Sequence, residues 1–393
     1  MADVFSFVGK IVLGKDSDKF HPIDRKKYDS KWMNTTVKFN CISGTNRILC
    51  TVQGGKWEDD TKNIIKTYSK STTDANGKVT KGEKIDIPWE KRFDEDQIDK
   101  VAGFKRFVCD TGDVRMRYKL QDIIDGKVEI DDDLIEIGID SMDAVKSALE
   151  KSNAKKKIFL SEWDFAEHMA KVAASDKFKD KLFRISGNYD VAYNADKDRF
   201  YTTYHVNRVV LVPDDAELET EFKVDFYFGE DAWDDSGYEE TGKCYVNGWV
   251  SYYDNNVSKN GFMPMSIAVK ENGKKAAVLK RKFEADDEIK QIGLTLKVID
   301  GAEIVEITMD MLDDETREDI ECGLVDFEEV KRSLGGRAVG DRISELRFVE
   351  LTPKKNVAQD TVYTLEDMHA ARVELVEETE EENFDLFDED DDL

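Results

Sequence analysis

The sequence predicts a mainly β protein with α-helical additions (α+β): two β-barrel modules, a helical C-terminal region and a disordered acidic tail. Three observations indicate this organisation. Short segments of alternating apolar and polar residues recur along much of the chain. Hydrophobic residues make up 40% and aromatic residues 10% of the 393 residues, which is enough to bury a core. Residues 374–393 hold 12 acidic and no basic side chains, so we expect no packed core there.

The first module, residues 1–140, is predicted to be a small, basic barrel of the OB type. Strands are expected at 5–13, 35–42, 47–52, 106–109 and 114–120, with weaker alternation at 128–139. Gly9 suits a bulge or sharp bend in the first strand, and Ser43-Gly44-Thr45-Asn46 is a turn sequence. Five short strands with a bend in the first fit a closed barrel better than a sandwich.

A helical linker, residues 141–180, is expected to separate this module from a second one. Ser161 and Asp164 resemble a capping box, and the apolar spacing after them predicts a helix over 162–174. The second OB-like module spans 181–305, and its order of strands parallels the first, so we interpret it as a duplicated barrel. Its strands are predicted at 182–193, 199–212, 221–228, 243–253, 265–269 and 276–283. Residues 306–373 are predicted to be a helical region, with a strand at 342–351, before the tail at 374–393.

Cysteine usage and hydropathy exclude several classes of protein. The five cysteines are odd in number, widely spaced and form no C-x-x-C pair, which argues against a disulfide framework and against a zinc site. The chain has no run of 18 apolar residues, and its first residues lack a basic segment followed by an apolar one. We therefore expect no membrane contact, no signal peptide and a cytoplasmic location.

The charge of the chain is unevenly distributed. The net charge is −27, yet residues 1–121 hold 24 basic and 18 acidic residues, a net of +6. Residues 374–393 contribute −12, and the middle, residues 122–373, accounts for the remaining −21. An acidic protein is a poor candidate for nucleic-acid binding as a whole, but this distribution leaves the first module available for it.

Sequence motifs for catalysis are absent. The four histidines are isolated, and no nucleophile elbow, Walker A loop or dinucleotide-binding fingerprint occurs. The acidic segments 131–133 and 234–237 do not have the spacing of a calcium-binding EF-hand loop. We therefore expect no enzymatic activity, no cofactor and no metal site.

Basic and aromatic residues are interleaved in the first module, as binding of a single nucleic-acid strand requires. Cations track the phosphates, and aromatic faces stack on the bases. Any one pair is better explained by a core aromatic beside a solvated lysine, but the repetition across one net-basic module makes an interface an equal alternative. Residues on two adjoining strands of the second module extend the pattern, although their face could equally be the barrel interior. The predicted DNA-binding residues are Lys26, Lys27, Tyr28, Lys31, Trp32, Arg47, Lys56, Trp57, Lys66, Tyr68, Arg106, Arg115 and Arg117, followed by Arg184, Tyr189, Arg199, Tyr201 and Arg208.

The acidic tail contains apolar residues that solubility does not require. Phe384, Leu386, Phe387 and Leu393 interrupt or end the run of carboxylates. A short motif that docks into a basic pocket with an apolar floor explains them, so these four residues are predicted to bind partner proteins. The same tail imitates phosphates and is expected to compete with DNA for a basic groove.

A basic, aromatic, barrel-type body followed by such a tail resembles the single-stranded DNA-binding proteins of tailed bacteriophages. The resemblance implies OB-fold binding of single strands in DNA replication and recombination, in the cytoplasm of a bacterial host. It also implies a tail that recruits replication or recombination proteins. The alternative is a phage structural or assembly protein without DNA binding, in which the tail only solubilises the chain. The sequence leaves the oligomeric state and the preference for DNA over RNA open.

Overall fold

The computed structural model describes residues 4–73, 79–194, 199–254, 259–270, 273–285, 288–306, 309, 312–333, 337–352 and 363–368. These residues are mainly β with several helices, which confirms the predicted class. The tail, 374–393, lies outside the described residues. None of the helices in the described ranges is long and apolar enough to cross a membrane.

The strands of the described residues belong to one large mixed sheet and two small hairpin sheets. They are β1 (Phe5–Leu13), β2 (Ile23–Lys27), β3 (Trp32–Ser43), β4 (Asn46–Trp57), β5 (Ile64–Tyr68), β6 (Thr72–Thr73), β7 (Val79–Thr80), β8 (Lys84–Pro88), β9 (Phe107–Asp110), β10 (Lys156–Phe159), β11 (Leu182–Asn194), β12 (Arg199–Leu211), β13 (Glu219–Phe228), β14 (Trp233–Asp234), β15 (Cys244–Asp254), β16 (Lys259–Val269), β17 (Lys290–Glu306) and β18 (Arg337–Leu351).

The α-helices are short, and four single turns of 3-10 helix accompany them in the described residues. The α-helices are α1 (Glu95–Lys100), α2 (Val114–Ile124), α3 (Asp132–Glu136), α4 (Met142–Asn153), α5 (Glu162–Ala173), α6 (Tyr238–Thr241), α7 (Gly273–Lys282), α8 (Asp314–Glu321) and α9 (Phe327–Ser333). The 3-10 turns are Asp60–Lys62, Trp89–Lys91, Gly103–Lys105 and Asp176–Phe178.

Five strands close into a ring, here called the first ring. β1 pairs antiparallel with β3 and β11, β3 pairs with β4, and β11 pairs with β12. A short parallel pairing of β4 with β12, with Cys50 opposite Tyr204, closes the ring. Alternate residues of these strands point inward, and Val37, Phe39 and Cys50 are fully buried there.

A second ring repeats this order with β13, β15, β16, β17 and β18. β13 pairs antiparallel with β15 and β17, β15 pairs with β16, and β17 pairs with β18. A parallel pairing of β16 with β18, with Ile267 opposite Leu346, closes it. In each ring the fourth strand along the chain returns to lie beside the first, as in a Greek key. A helix, α5 or α7, precedes that fourth strand in both rings.

Strand β1 joins the two rings. Residues 5–8 pair with β11 on one side and with β13 on the other, and from Lys10 onward β3 replaces β13. Gly9 lies at this change of partner, where a Cβ would be 2.5 Å from the carbonyl oxygen of Ile42. One apolar core continues through both rings as a result, and it includes Phe7 and Phe226.

Residues 58–181 form an insertion between β4 and β11. Within it β5 pairs with β8, while β9 pairs with β10 and, in parallel, with β12 of the first ring. The helix predicted over 162–174 is confirmed as α5, and the Ser161 hydroxyl caps it by accepting a hydrogen bond from the Asp164 amide at 3.3 Å. Phe165 and Met169 of α5 enter the main core.

Several predictions about individual segments are wrong. Residues 114–120 belong to helix α2, which Asp113 caps by accepting a hydrogen bond from the Met116 amide at 2.9 Å. The predicted strand at 276–283 falls largely on helix α7, and the weak alternation at 128–139 includes helix α3.

The strand pairings also cross the predicted domain boundaries. β11 and β12 were assigned to the module 181–305, but they complete the first ring by pairing with β1 and β4. β18 lies in the region 306–373, which was predicted to be helical apart from one strand, and it completes the second ring.

The segment 363–368 packs against aromatic residues of the second ring. The ring centroid of Tyr363 lies 5.6 Å from that of Tyr227 and 5.0 Å from that of Phe262, both nearly edge-to-face. The Thr364 amide donates to Asp367 Oδ2 at 2.6 Å, and the Asp367 amide donates to Thr364 Oγ1 at 3.3 Å. The chain is therefore held to the second ring shortly before the acidic tail begins.

Gly54→Ala is expected to destabilise the fold. A Cβ at Gly54 would lie 2.2 Å from the carbonyl carbon of Glu162 and 2.3 Å from the amide nitrogen of Trp163, so two backbones would have to separate. We expect the free energy of unfolding to fall by about 1–3 kcal/mol, measured by urea denaturation followed by circular dichroism. Gly103→Ala is the matched control, since nothing lies within 4 Å of its added Cβ. Equal stability of the two variants would contradict this packing of α5 on β4.

Candidate functional site

The first ring carries a cleft of about 1250 Å³ on the outer face of β3 and β4. Residues of both strands reach this face because they alternate with residues that point into the core. They are Trp32 and Asn34 of β3 and Gln53 and Trp57 of β4. Most of the remaining lining residues belong to β11, to β12 and to the insertion, which includes the start of α5, and Tyr28 and Ser30 come from the segment before β3.

Two tryptophans form an aromatic surface in the cleft. Trp32 and Trp57 are direct partners across β3 and β4, and their ring centroids lie 5.2 Å apart at 75°. Gly55 makes room for this arrangement, because a Cβ there would lie 2.3 Å from the Trp32 ring. Tyr28 and Phe104 also line the cleft and are about half exposed, at 47% and 51%.

Four cationic residues of the insertion line the same cleft: Lys62, Lys66, Lys105 and Arg106. The three lysines are exposed, so their ammonium groups are available to a ligand. Arg106 is held by hydrogen bonds that its guanidinium donates to the carbonyl oxygen of Val101, the shorter at 2.7 Å. Glu162 and Asp190 are the acidic lining residues, so the lining itself holds four cations and two carboxylates. Arg106 also lies 3.9 Å from the carboxylate of Asp99, outside the lining.

Polar groups of a different kind complete the lining. Glu162 is open to water at the start of α5, and its partial burial in the cleft raises the pKa of its carboxyl group. His205 and Lys105 lower that pKa by less. His205 Nε2 lies 3.2 Å from Asp190 Oδ2, and this hydrogen bond lowers the pKa of Asp190. The side-chain oxygen of Asn188 is buried and accepts no hydrogen bond within the described part of the chain.

The structure brings five of the predicted DNA-binding residues together in the cleft. They are Tyr28, Trp32, Trp57, Lys66 and Arg106. They come from β3, β4, β5 and two connecting segments, so the ring and its insertion are both needed to assemble them.

None of the other thirteen predicted DNA-binding residues is among the lining residues that the structure describes. Several are engaged by carboxylates: Lys26 by Asp24, Lys27 by Glu58, Lys56 by Asp60, Arg115 by Asp215 and Arg184 by Glu219. Lys31, Arg47 and Tyr68 are exposed, whereas Tyr201 and Arg208 on β12 are partly buried. The backbone of Arg199 is in β12, but its side chain is outside the described residues, as are Phe384, Leu386, Phe387 and Leu393 of the tail.

Two predicted DNA-binding residues are part of the folded interior instead. Arg117 forms a two-pronged ion pair with the buried Asp110, with nitrogen-to-oxygen distances of 2.7 and 2.9 Å. Burial raises the pKa of Asp110, but the hydrogen bonds and charge of Arg117 and the Gly112 amide lower it by more. Tyr189 packs on Phe222 with ring centroids 4.7 Å apart, and burial raises its pKa to about 12. The face of β11 that carries Tyr189 is therefore the core side.

Five cleft residues are not predicted from the sequence: Lys62, Phe104, Lys105, Glu162 and His205. Phe104 and Lys105 directly precede Arg106, so the basic and aromatic alternation already contained their signal. No sequence signal distinguishes Glu162, because the chain contains 85 acidic residues and an acidic residue in the first turn of a helix is common.

Arg117→Ala is expected to destabilise the chain, because it leaves the Asp110 carboxylate buried and unpaired. The free energy of unfolding at pH 7 should fall by about 3–5 kcal/mol. The pKa of Asp110 is lower in the folded chain than in the unfolded chain, where it is about 3.9. The ion pair therefore stabilises the folded chain fully above that pH, and this contribution is lost as the pH falls through the folded-state pKa of Asp110. Urea denaturation at pH 7 and pH 3 measures both effects.

Arg115→Ala is the matched control, since Arg115 is exposed on the same helix and 3.5 Å from an equally exposed Asp215. Its free energy of unfolding should change by less than about 0.5 kcal/mol. If Arg117→Ala lowers the free energy of unfolding as little as Arg115→Ala does, Arg117 has no structural role and is again a candidate DNA-binding residue.

The cleft can hold a flexible anion that also has flat apolar faces. Its aromatic surface offers stacking and its cations offer contacts to phosphate, while its carboxylates and amides offer hydrogen bonds. Among the described residues no group of three or more His, Cys, Asp or Glu side chains could hold a metal ion. Comparison with protein families, with curated proteins and with solved structures gives no match for this chain.

Proposed function

We propose that the chain is a non-enzymatic single-stranded DNA-binding protein and that the cleft of the first ring holds the strand. The observation that carries this proposal is the combination of half-exposed aromatic rings with four cations in the lining of one cleft. Proteins that bind single strands combine a basic groove for the backbone with aromatic side chains for the bases. The lysines would track phosphates, and Trp32, Trp57, Tyr28 and Phe104 would stack on bases.

We also propose that each ring is an OB fold. The OB fold is a five-stranded Greek-key barrel that binds oligonucleotides on the face of its second and third strands and with the loop after its first strand. Two features support the proposal. The cleft lies on β3 and β4, the second and third strands of the first ring, and Tyr28 lies in the connection that follows β1.

The local charge of the cleft supports binding to a polyanion even though the chain is acidic. The cleft has four cations against two carboxylates, while the acidic excess belongs to residues 122–393. Because exposed charges more than about 10 Å apart are largely screened at 0.1 M salt, a ligand in the cleft interacts mainly with the charged groups near it and little with the distant acidic segments.

We extend the proposal to the tail on the basis of its amino-acid composition, because the tail lies outside the described residues. Phe384, Leu386, Phe387 and Leu393 would bind replication or recombination proteins, and the carboxylates around them would compete with DNA. A protein with this role would act in the cytoplasm, of the bacterial host if a phage encodes it, as the resemblance to phage single-stranded DNA-binding proteins implies.

Trp32→Ala is expected to weaken binding of an oligo-dT strand without unfolding the chain. Stacking on one aromatic side chain contributes about 1–3 kcal/mol per base, so the Kd should rise by about 5- to 150-fold. Fluorescence anisotropy with a labelled oligonucleotide measures the Kd, and circular dichroism checks the fold. Tyr118→Ala is the matched control, because Tyr118 is 71% exposed on α2 and outside the cleft.

Two outcomes would contradict the stacking role. If Trp32→Ala collapses the Tm, the tryptophan is needed for packing and stacking is not its main role. If neither the natural chain nor the variants bind oligo-dT, the single-stranded DNA-binding function is wrong and the structural or assembly role gains support.

Removing the tail is expected to strengthen binding. A protein that ends at Val373 lacks 12 acidic side chains, so its cleft meets no competing polyanion on the same chain. The Kd for oligo-dT should fall relative to that of the full chain, and the ratio of the two should shrink as salt rises from about 50 to 300 mM. Equal affinities at low salt would show that the tail does not compete.

A further inference from the structure

The cleft has more hydrogen-bonding groups than phosphate tracking requires. Phosphate oxygens accept hydrogen bonds, so they need only donors such as the lysines of the insertion. Glu162 and Asp190 can only accept when ionised, and they repel phosphate. If a strand fills the cleft, these two carboxylates must therefore face a part of it that is not the backbone.

Glu162 is the carboxylate that remains available. Asp190 already accepts a hydrogen bond from His205. The Glu162 carboxylate accepts none within the described part of the chain, although it is open to water in the cleft. Its backbone lies directly against Gly54, and the next residue along β4, Gly55, lies against the Trp32 ring. Glu162 of α5 therefore packs against β4, the strand that also supports the aromatic surface.

A second observation on the neighbouring strand points to the same kind of ligand. Asn188 of β11 lines the cleft and has a buried side-chain oxygen that accepts no hydrogen bond within the described residues. An unpaired buried acceptor costs free energy, which a ligand carrying a donor would recover. Carboxylate and amide side chains are among the groups that read the edges of bases, with Asn or Gln contacting adenine and Glu or Asp accepting from the cytosine amino group.

We propose that the cleft distinguishes bases by their exocyclic amino group and that Glu162 is the residue that makes the distinction. The exocyclic amino groups of adenine, cytosine and guanine can each donate a hydrogen bond to the Glu162 carboxylate. The single donor of thymine, its ring N3–H, lies between two carbonyl oxygens that repel a carboxylate. This inference rests on the proposed function and deepens it, because phosphate tracking and stacking alone tolerate any sequence. Bases would then point toward Glu162 and Asn188, and phosphates toward the lysines.

The test compares three labelled homopolymers, oligo-dC, oligo-dA and oligo-dT of equal length, on the full chain at pH 8. We expect oligo-dC and oligo-dA to bind about tenfold more tightly than oligo-dT, the ratio expected for one good base contact. Glu162→Gln should bring the three Kd values together, because an amide both donates and accepts. Glu150→Gln, an exposed substitution on α4 that removes the same charge, should leave the ratios unchanged.

The outcomes separate this inference from the proposed function. If all three strands bind equally, or oligo-dT binds most tightly, the inference is wrong while single-strand binding stands. If Glu162→Gln tightens all three Kd values by the same factor, Glu162 acts only as a repulsive charge, which also overturns the inference. If none of the three strands binds, the proposed function itself fails.

Discussion

Strand β1 pairs with three other strands, and the closure of the first ring depends on it. Its first half lies between β11 and β13, and its last residues, from Lys10 to Leu13, pair with β3, with Gly9 at the change. Without β1, the strand pairing between β3–β4 and β11–β12 would be reduced, in the described residues, to the short parallel contact of Cys50 and Thr51 with Tyr204 and His205. The cleft lies on these same strands, so the contact surface for a ligand is a consequence of ring closure.

The amino-acid sequence predicted the features that depend on local pattern. Period-two alternation located β3, β4, β11 and β12, and the Ser161 cap located α5. The same rule failed for 114–120, where Val114, Met116 and Leu120 alternate by coincidence and the Asp113 cap was the stronger signal. Which strands pair was not predictable, because β11 and β12 join β1 and β4 across the insertion of 58–181, and no local pattern records that contact.

Some residues of the candidate site could be predicted from the sequence, and others could be identified only from the fold. Basic residues recur beside aromatic residues in the first module, and this repetition predicted Trp32, Trp57 and Lys66 as binding residues. Arg117 and Tyr189 have the right chemistry, but burial assigns them to an ion pair and to the core. Glu162 could not be found, since only the fold places that one carboxylate in the cleft.

The central claim is that a single strand lies in the cleft of the first ring, and photochemical crosslinking tests it most directly. The full chain would be irradiated with a mixed-sequence oligonucleotide that carries photoreactive bases, and mass spectrometry would identify the modified residues. The account predicts crosslinks at Tyr28, Trp32, Trp57 or Phe104, and their loss when unlabelled strand is added in excess. Crosslinks confined to the second ring, or crosslinks that excess strand does not remove, would contradict it.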